Sequence, residues 1–190
     1  MPQRRAYTAR MSTPAVTDRE LYALAEQAGR ALRAAGLRIV TAESCTAGWI
    51  AKALTDVPGS SRWVECGYVT YSNAAKMRDL GVAAATLEAH GAVSEAVVRE
   101  MAQGALRVSG AELAVAVSGI AGPDGGSPAK PVGTVWLAVA ARSRHEPLSC
   151  VQHFAGDREA VRRRTVAHAL RQVLEVLGAA PSGGSMPRPP

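Results

Sequence analysis

Aromatic side chains are scarce in this 190-residue chain: one Phe, three Trp and four Tyr. A protein that stacks successive bases of a single strand needs aromatic platforms, and the sequence has no run of them. Cysteine is nearly as sparse. Cys45, Cys66 and Cys150 are odd in number and widely spaced, matching neither a disulfide framework nor a zinc ligand set, so a reducing cytoplasmic setting is expected and no metal. No apolar run approaches the roughly 18 residues of a membrane span. The N-terminal MPQRRAYTARMSTPAV has arginines, no acids and no apolar core of the signal-peptide kind. Residues 1–16 are therefore expected to be a disordered extension, with a transit peptide or a true start at Met11 as alternatives. Charge of one sign is also short once it is located. The formal net charge is +6, but Arg4, Arg5, Arg10 and Arg188 lie in the two ends, leaving about +2 on the body, too little for a phosphate-backbone surface. Direct nucleic-acid binding is not expected.

What is present reads as one globular domain over 17–178, with 47% hydrophobic and 20% charged residues, followed by a flexible tail at 179–190. Thr17 and Glu20 have capping-box spacing ahead of a helix with Leu21, Leu24, Ala25, Ala28 and Leu32 on one face. LRIVTA (37–42) reads as a strand and CTAGWIAKALTDV (45–57) as a helix stopped by Pro58 and Gly59. WVECGYVTYS (63–72) is a second strand leading to a short polar helix at 74–80. A long helix over 94–110, capped by Ser94, precedes the strand ELAVAVSG (112–119). IAGPDGGSPAKP (120–131) is a loop. VGTVWLAVAA (132–141) and PLSCVQHF (147–154) form an antiparallel pair, and Asp157 caps a final helix. Strands interleaved with amphipathic helices predict a three-layer α/β/α domain with a mixed, mostly parallel sheet and a site on the loops after the strands.

The side chains with chemistry gather at those strand ends. In TAESCTAG (41–48) a helix expected from about Cys45 would put Ser44 at its start. Unpaired backbone N–H groups and the positive end of the helix dipole favour a developing oxyanion there. Such a serine suits nucleophilic acyl transfer, and it equally suits a plain N-cap. Cys45 is the rival nucleophile, because a helix N-terminus lowers a thiol pKa. Glu43 either orients the turn or touches the substrate. A nucleophile needs a base, and His90, His145, His153 and His168 fall in no motif and read as surface or packing residues. Tyr71 and Lys76 flank a strand exit and a helix start, with Asn73 fixing the turn between them, so both could aim at one point. A partly desolvated lysine can be neutral near physiological pH and take a proton, and a tyrosine hydroxyl can relay it. Taken alone, Lys76 also reads as a solvated helix lysine. GIAGPDGG (119–126) offers backbone N–H groups to an anion, although it is neither a P-loop nor a dinucleotide fingerprint. Arg158 and Arg162, four apart on one helix face, could clamp a phosphate or simply be solvated.

Taken together and in order, TAESCTAG, GYVTYSNAAK, GAVSE, VSGIAGPDGGSPAKPVGTVW and FAGDREAVR resemble the C-terminal domain of the CinA (competence/damage-inducible) family, from about residue 18 to 177. Stand-alone members of this type are nicotinamide-nucleotide amidohydrolases. The resemblance implies hydrolysis of the carboxamide of nicotinamide mononucleotide, a small-molecule nucleotide substrate, with no cofactor and no metal. It also implies a catalytic set that falls on Ser44, Lys76 and Tyr71, and assembly into a homo-oligomer. Within that expectation, the N–H groups of Cys45 or Thr46 would hold the oxyanion. Asn73, Arg158 and the loop from Ser118 to Gly126, with Gly119, Gly122 and Gly125, would bind the rest of the substrate. The chain departs from the family pattern at Ala47, where SCTGG usually has Gly; a methyl group there could crowd the substrate or the helix packing. The family's name leaves open a non-catalytic partner role in competence or DNA damage, and a different amide substrate is a further alternative.

Overall fold

A period of two along each strand decides which helices cover which side of the sheet. The computed structural model describes residues 15–179; the expected N-terminal extension and C-terminal tail lie almost wholly outside the described residues. Five strands, β1 (Ile39–Glu43), β2 (Val64–Val69), β3 (Leu113–Gly119), β4 (Thr134–Ala141) and β5 (Leu148–His153), form one sheet in the order β2-β1-β3-β4-β5. β1 pairs parallel with β2 and β3, and β4 runs antiparallel to both β3 and β5. The sheet is thus mixed and mostly parallel, with β4 alone reversed. Chain order passes from β1 outward to β2 and then back across to β3, so β1 marks the point where the winding changes direction. In open α/β sheets the crevice beyond the strand ends at such a point is where ligands sit.

On one side, Ile39, Leu113, Val115, Val117, Val135, Leu137 and Val139 are buried beneath α1 (Asp18–Ala35), α2 (Trp49–Thr55) and α6 (Arg158–Val176). On the other, Ala42, Ala114, Ala116, Ala138 and Ala140 meet α5 (Glu95–Ser109). Single methyl groups let α5 come close, and α5 itself carries Gly104 where it passes the end of α3 (Asn73–Leu80). A Cβ built at Gly104 would fall 1.9 Å from the Leu80 carbonyl oxygen, so only glycine fits there. The Arg107 guanidinium donates to that same carbonyl at 2.9 Å.

Local signals set most helix ends. Thr17 and Glu20 form the full capping box of α1, which closes on Gly36 in the left-handed conformation. Ser72, Ser94 and Asp157 cap α3, α5 and α6. Two features depart from the sequence reading. A short helix α4 (Ala84–His90) was not anticipated; its N-cap is Ala83, with no side-chain cap bond to announce it. And α2 starts at Trp49, four residues later than expected, because Ala47 and Gly48 both take positive φ, 52° and 90°. No helix among the described residues is long and apolar enough to cross a membrane.

Candidate active site

The C-terminal ends of β1, β2 and β3 open into a cavity of about 190 Å³ lined by Ser44, Tyr71, Lys76, Ser118 and Arg158, with Cys45, Ala92, Val93, Gly119 and Ala121. Ser44 leaves β1 into a turn rather than a helix, so it is not the N-cap of α2. That position belongs to Gly48, which supplies no side-chain bond. The helix N-terminus is instead satisfied by Glu43, fully buried. Its carboxylate accepts from Ile50 N–H at 3.0 Å, Ala51 N–H at 2.9 Å and the Thr46 hydroxyl at 2.6 Å. Of the two roles left open for Glu43, the geometry gives it the turn: the positive end of α2 is already occupied by its charge. The backbone N–H groups of Cys45 and Thr46 donate to no backbone carbonyl among the described residues.

Lys76 projects from α3 back beneath the end of β2 and is only 1% exposed. Its Nζ lies 3.0 Å from Ser44 Oγ, 2.8 Å from the Thr70 carbonyl and 3.3 Å from the Tyr71 carbonyl. Burial pushes its pKa below the ordinary lysine value, with the neighbouring Cys45 acting weakly in the other direction. A neutral amine has two N–H donors and one lone pair. The amine donates to the two backbone carbonyls and to Ser44 Oγ; on losing a proton it would keep the two carbonyl bonds and turn its lone pair to the Ser44 hydroxyl. Cys45, by contrast, is a poor thiolate: burial pushes its pKa up to about 12. The four histidines stand elsewhere; none lines the cavity. His168 is held neutral, with burial lowering its pKa to about 4 beside Cys150 and Phe154.

The remaining expected residues divide. Tyr71 is exposed at the cavity rim; its hydroxyl accepts from Arg158 Nη2 at 3.3 Å rather than meeting Lys76. Arg158 also donates to the Gly122 carbonyl at 2.9 Å, fastening the Gly/Pro loop beside the cavity. Ser118 turns its hydroxyl to the Ala92 carbonyl at 2.7 Å, tying β3 to the segment before α5. Thr46 is buried and spent on Glu43. Asn73 is exposed on the first turn of α3, and the turn before it is fixed by Ser72, whose Oγ accepts from Ala75 N–H at 3.1 Å. Gly125, with φ of 89°, lies out on the exposed part of the loop. Arg162 is not a solvated partner of Arg158: it donates to the Cys45 and Thr46 carbonyls at 3.1 and 2.8 Å. The sequence reading overlooked the Thr70 carbonyl and the Ala92–Val93 wall, although GAVSE lay within the motifs.

Ala47 is exposed and borders a neighbouring groove with Trp49 and Lys52 rather than the Ser44 cavity. Its methyl belongs neither to the lining of the Ser44 cavity nor to the buried core. The penalty is in the backbone, since a left-handed residue with a Cβ is strained. Ala47→Gly is expected to stabilise the fold by about 0.5–1 kcal/mol after the extra unfolded-state entropy of glycine is subtracted. Calorimetry would register a Tm rise of about 1–4 °C; an unchanged or lower Tm would dispose of the strain account.

Comparison with known proteins agrees with this fold. The family model described as the CinA C-terminal domain matches residues 21–177. Curated relatives named nicotinamide-nucleotide amidohydrolase PncC include those of Escherichia coli K12, 58% identical over 156 residues, and of Pseudomonas putida, 58% identical over 153. The alignments cover 82% and 80% of this chain and 94% of each relative. Among solved structures, the competence/damage-inducible protein CihA of Agrobacterium tumefaciens is 46% identical with a TM-score of 0.80, over 84% of this chain and 96% of that one. A CinA superfamily protein of Klebsiella pneumoniae has a TM-score of 0.80 at 42% identity, over 83% and 98%.

Proposed function

Since the chain belongs to the CinA C-terminal domain family, we propose that it hydrolyses the carboxamide of nicotinamide mononucleotide to nicotinic acid mononucleotide and ammonia, through an acyl-enzyme on Ser44. The observation that carries this reading is the 3.0 Å separation of Lys76 Nζ and Ser44 Oγ, with the other donors of the amine taken up by two carbonyls. Relatives 58% identical carry the amidohydrolase name.

Ser44 Oγ attacks the carboxamide carbon while its proton passes to Lys76. The tetrahedral anion is held by the N–H groups of Cys45 and Thr46. Lys76 then returns the proton to the amide nitrogen, the C–N bond breaks and ammonia leaves. Water, deprotonated by the same amine, cleaves the ester and frees Ser44. A cavity of about 190 Å³ suits the pyridine ring alone, being smaller than the roughly 300 Å³ at which pockets for whole drug-sized ligands begin. The ribose phosphate extends outward past Tyr71 toward Arg158 and the loop from Ser118 to Gly126. Asn73, Gly119, Gly122 and Gly125 stand on that path. The enzyme works in the cytoplasm as a homo-oligomer that recycles pyridine nucleotides.

The test is release of ammonia and nicotinic acid mononucleotide from nicotinamide mononucleotide by the purified chain, with chelator present and no metal added. Equimolar products support the reading; a folded protein that leaves the substrate intact overturns it.

A further inference from the structure

The turn that carries Ser44 is gripped from two sides by opposite charges. Glu43 takes the N–H groups of Ile50 and Ala51. Arg162, more than a hundred residues away in sequence, takes the carbonyls of Cys45 and Thr46 through Nε and Nη2. Within a trans peptide unit the carbonyl of one residue and the N–H of the next point in opposite directions. Holding the Cys45 carbonyl on the guanidinium therefore sends the Thr46 N–H away from it. The second contact fixes the following peptide plane, whose Ala47 N–H closes onto the Ser44 carbonyl at 3.2 Å. Among the described residues, the Thr46 N–H is left with no backbone acceptor.

We propose that Arg162 is a positioning residue for the hydrolytic reaction: by holding two successive carbonyls it aims the Thr46 N–H at the oxyanion formed on attack by Ser44. The inference rests on Ser44 being the nucleophile, though not on the identity of the amide. A planar fork spans two carbonyls at once; a lysine ammonium at the same place is a point donor on a flexible stem. The adjacent residue supplies an internal comparison. Arg162 and Arg163 both stack on Trp49, 5.1 and 5.0 Å from the ring centroid. Only Arg162 holds the turn; Arg163 pairs with Asp18 and Glu159.

The experiment compares Arg162→Lys, and Arg162→Gln as a second variant, with Arg163→Lys. It follows amide turnover, thermal unfolding, and the rate at which a fluorophosphonate modifies Ser44, read by mass spectrometry. In that modification Ser44 Oγ bonds to phosphorus, fluoride leaves and the proton goes to Lys76. Both Arg162 variants are expected to lose about 10–100-fold in kcat and in modification rate while KM changes less than about 3-fold, as for loss of aim in an oxyanion donor. Arg163→Lys keeps wild-type rates. Equal losses at the two arginines would assign the effect to the Trp49 stack and overturn the proposal. So would wild-type rates in the Arg162 variants, a loss confined to KM, or a wild type whose Ser44 is never modified. A wild type that is modified yet leaves nicotinamide mononucleotide intact would refute the substrate assignment alone, and the modification rates would still decide this inference.

Discussion

Lys76→Met is expected to lower kcat by about 10³-fold or more, because it removes the proposed base and leaves an unbranched side chain only one atom shorter. Ser44→Ala should fall as far, and the double variant no further, since a nucleophile and its base act as one unit. Lys76→Arg should be as inactive as the methionine variant, because a guanidinium keeps its proton at any working pH. The folded protein should gain from the change: methionine needs no charge desolvated, so Tm is expected to rise. Lys76 retaining its proton would be unreactive, so wild-type activity is expected to climb as pH rises through a lysine pKa set below 10.5 by burial. Stability moves the same way. Between the depressed folded pKa and the ordinary value of the unfolded chain, the unfolded state binds more protons, so stability rises with pH across that window and is lost as pH falls through it. Lys76→Met should lack this slope. Activity above a tenth of wild type in that variant would remove Lys76 from the reaction.

Glu43→Gln is expected to cost about 2–4 kcal/mol of stability, read from the midpoint of urea denaturation. The carboxylate is surrounded by donors: two backbone N–H groups and the Thr46 hydroxyl. An amide of the same shape must turn its own NH2 toward one of them, leaving two donors face to face in a buried site. Glu43→Ala should cost more, about 3–5 kcal/mol, since three donors then lose their acceptor. Both variants should also lose activity, because Ser44 rides on the turn that Glu43 folds. A midpoint within about 0.5 kcal/mol of wild type, the ordinary range for an inconsequential surface change, would mean that the buried carboxylate contributes nothing to the turn.

Legibility in the sequence followed the range of the interaction. Thr17 with Glu20, Ser94 and Asp157 announce helix starts because each cap is made within three residues. Strand pairing at the end of the sheet could be read from two β-rich runs joined by a short turn. Ser44 and Lys76 could be singled out separately because each lies just past a strand, and the adjacency of β1 and β2 brings those ends together. α2 was drawn too early because Thr-Ala-Gly is compatible with a helix until the positive φ of Ala47 and Gly48 is known. Glu43 and Arg162 act through backbone groups of other segments. Such contacts leave no trace in residue type or spacing, which is why both residues read ambiguously, Glu43 as a turn or substrate group and Arg162 as a phosphate clamp or a solvated side chain.

The loop between β3 and β4 is closed at its neck, where Ile120 N–H donates to the Thr134 carbonyl at 2.9 Å and Gly133 N–H to the Ile120 carbonyl at 2.7 Å. Beyond the neck, Arg158 holds Gly122 and Lys130 reaches the His90 carbonyl. The tip from 123 to 129 is exposed. Such a neck works as an insulated port: chain can be added or exchanged at the tip while the strand register and the Ser44–Lys76 pair stay in place. Sequence change is therefore expected to be tolerated at the tip without disturbing the residues behind the neck.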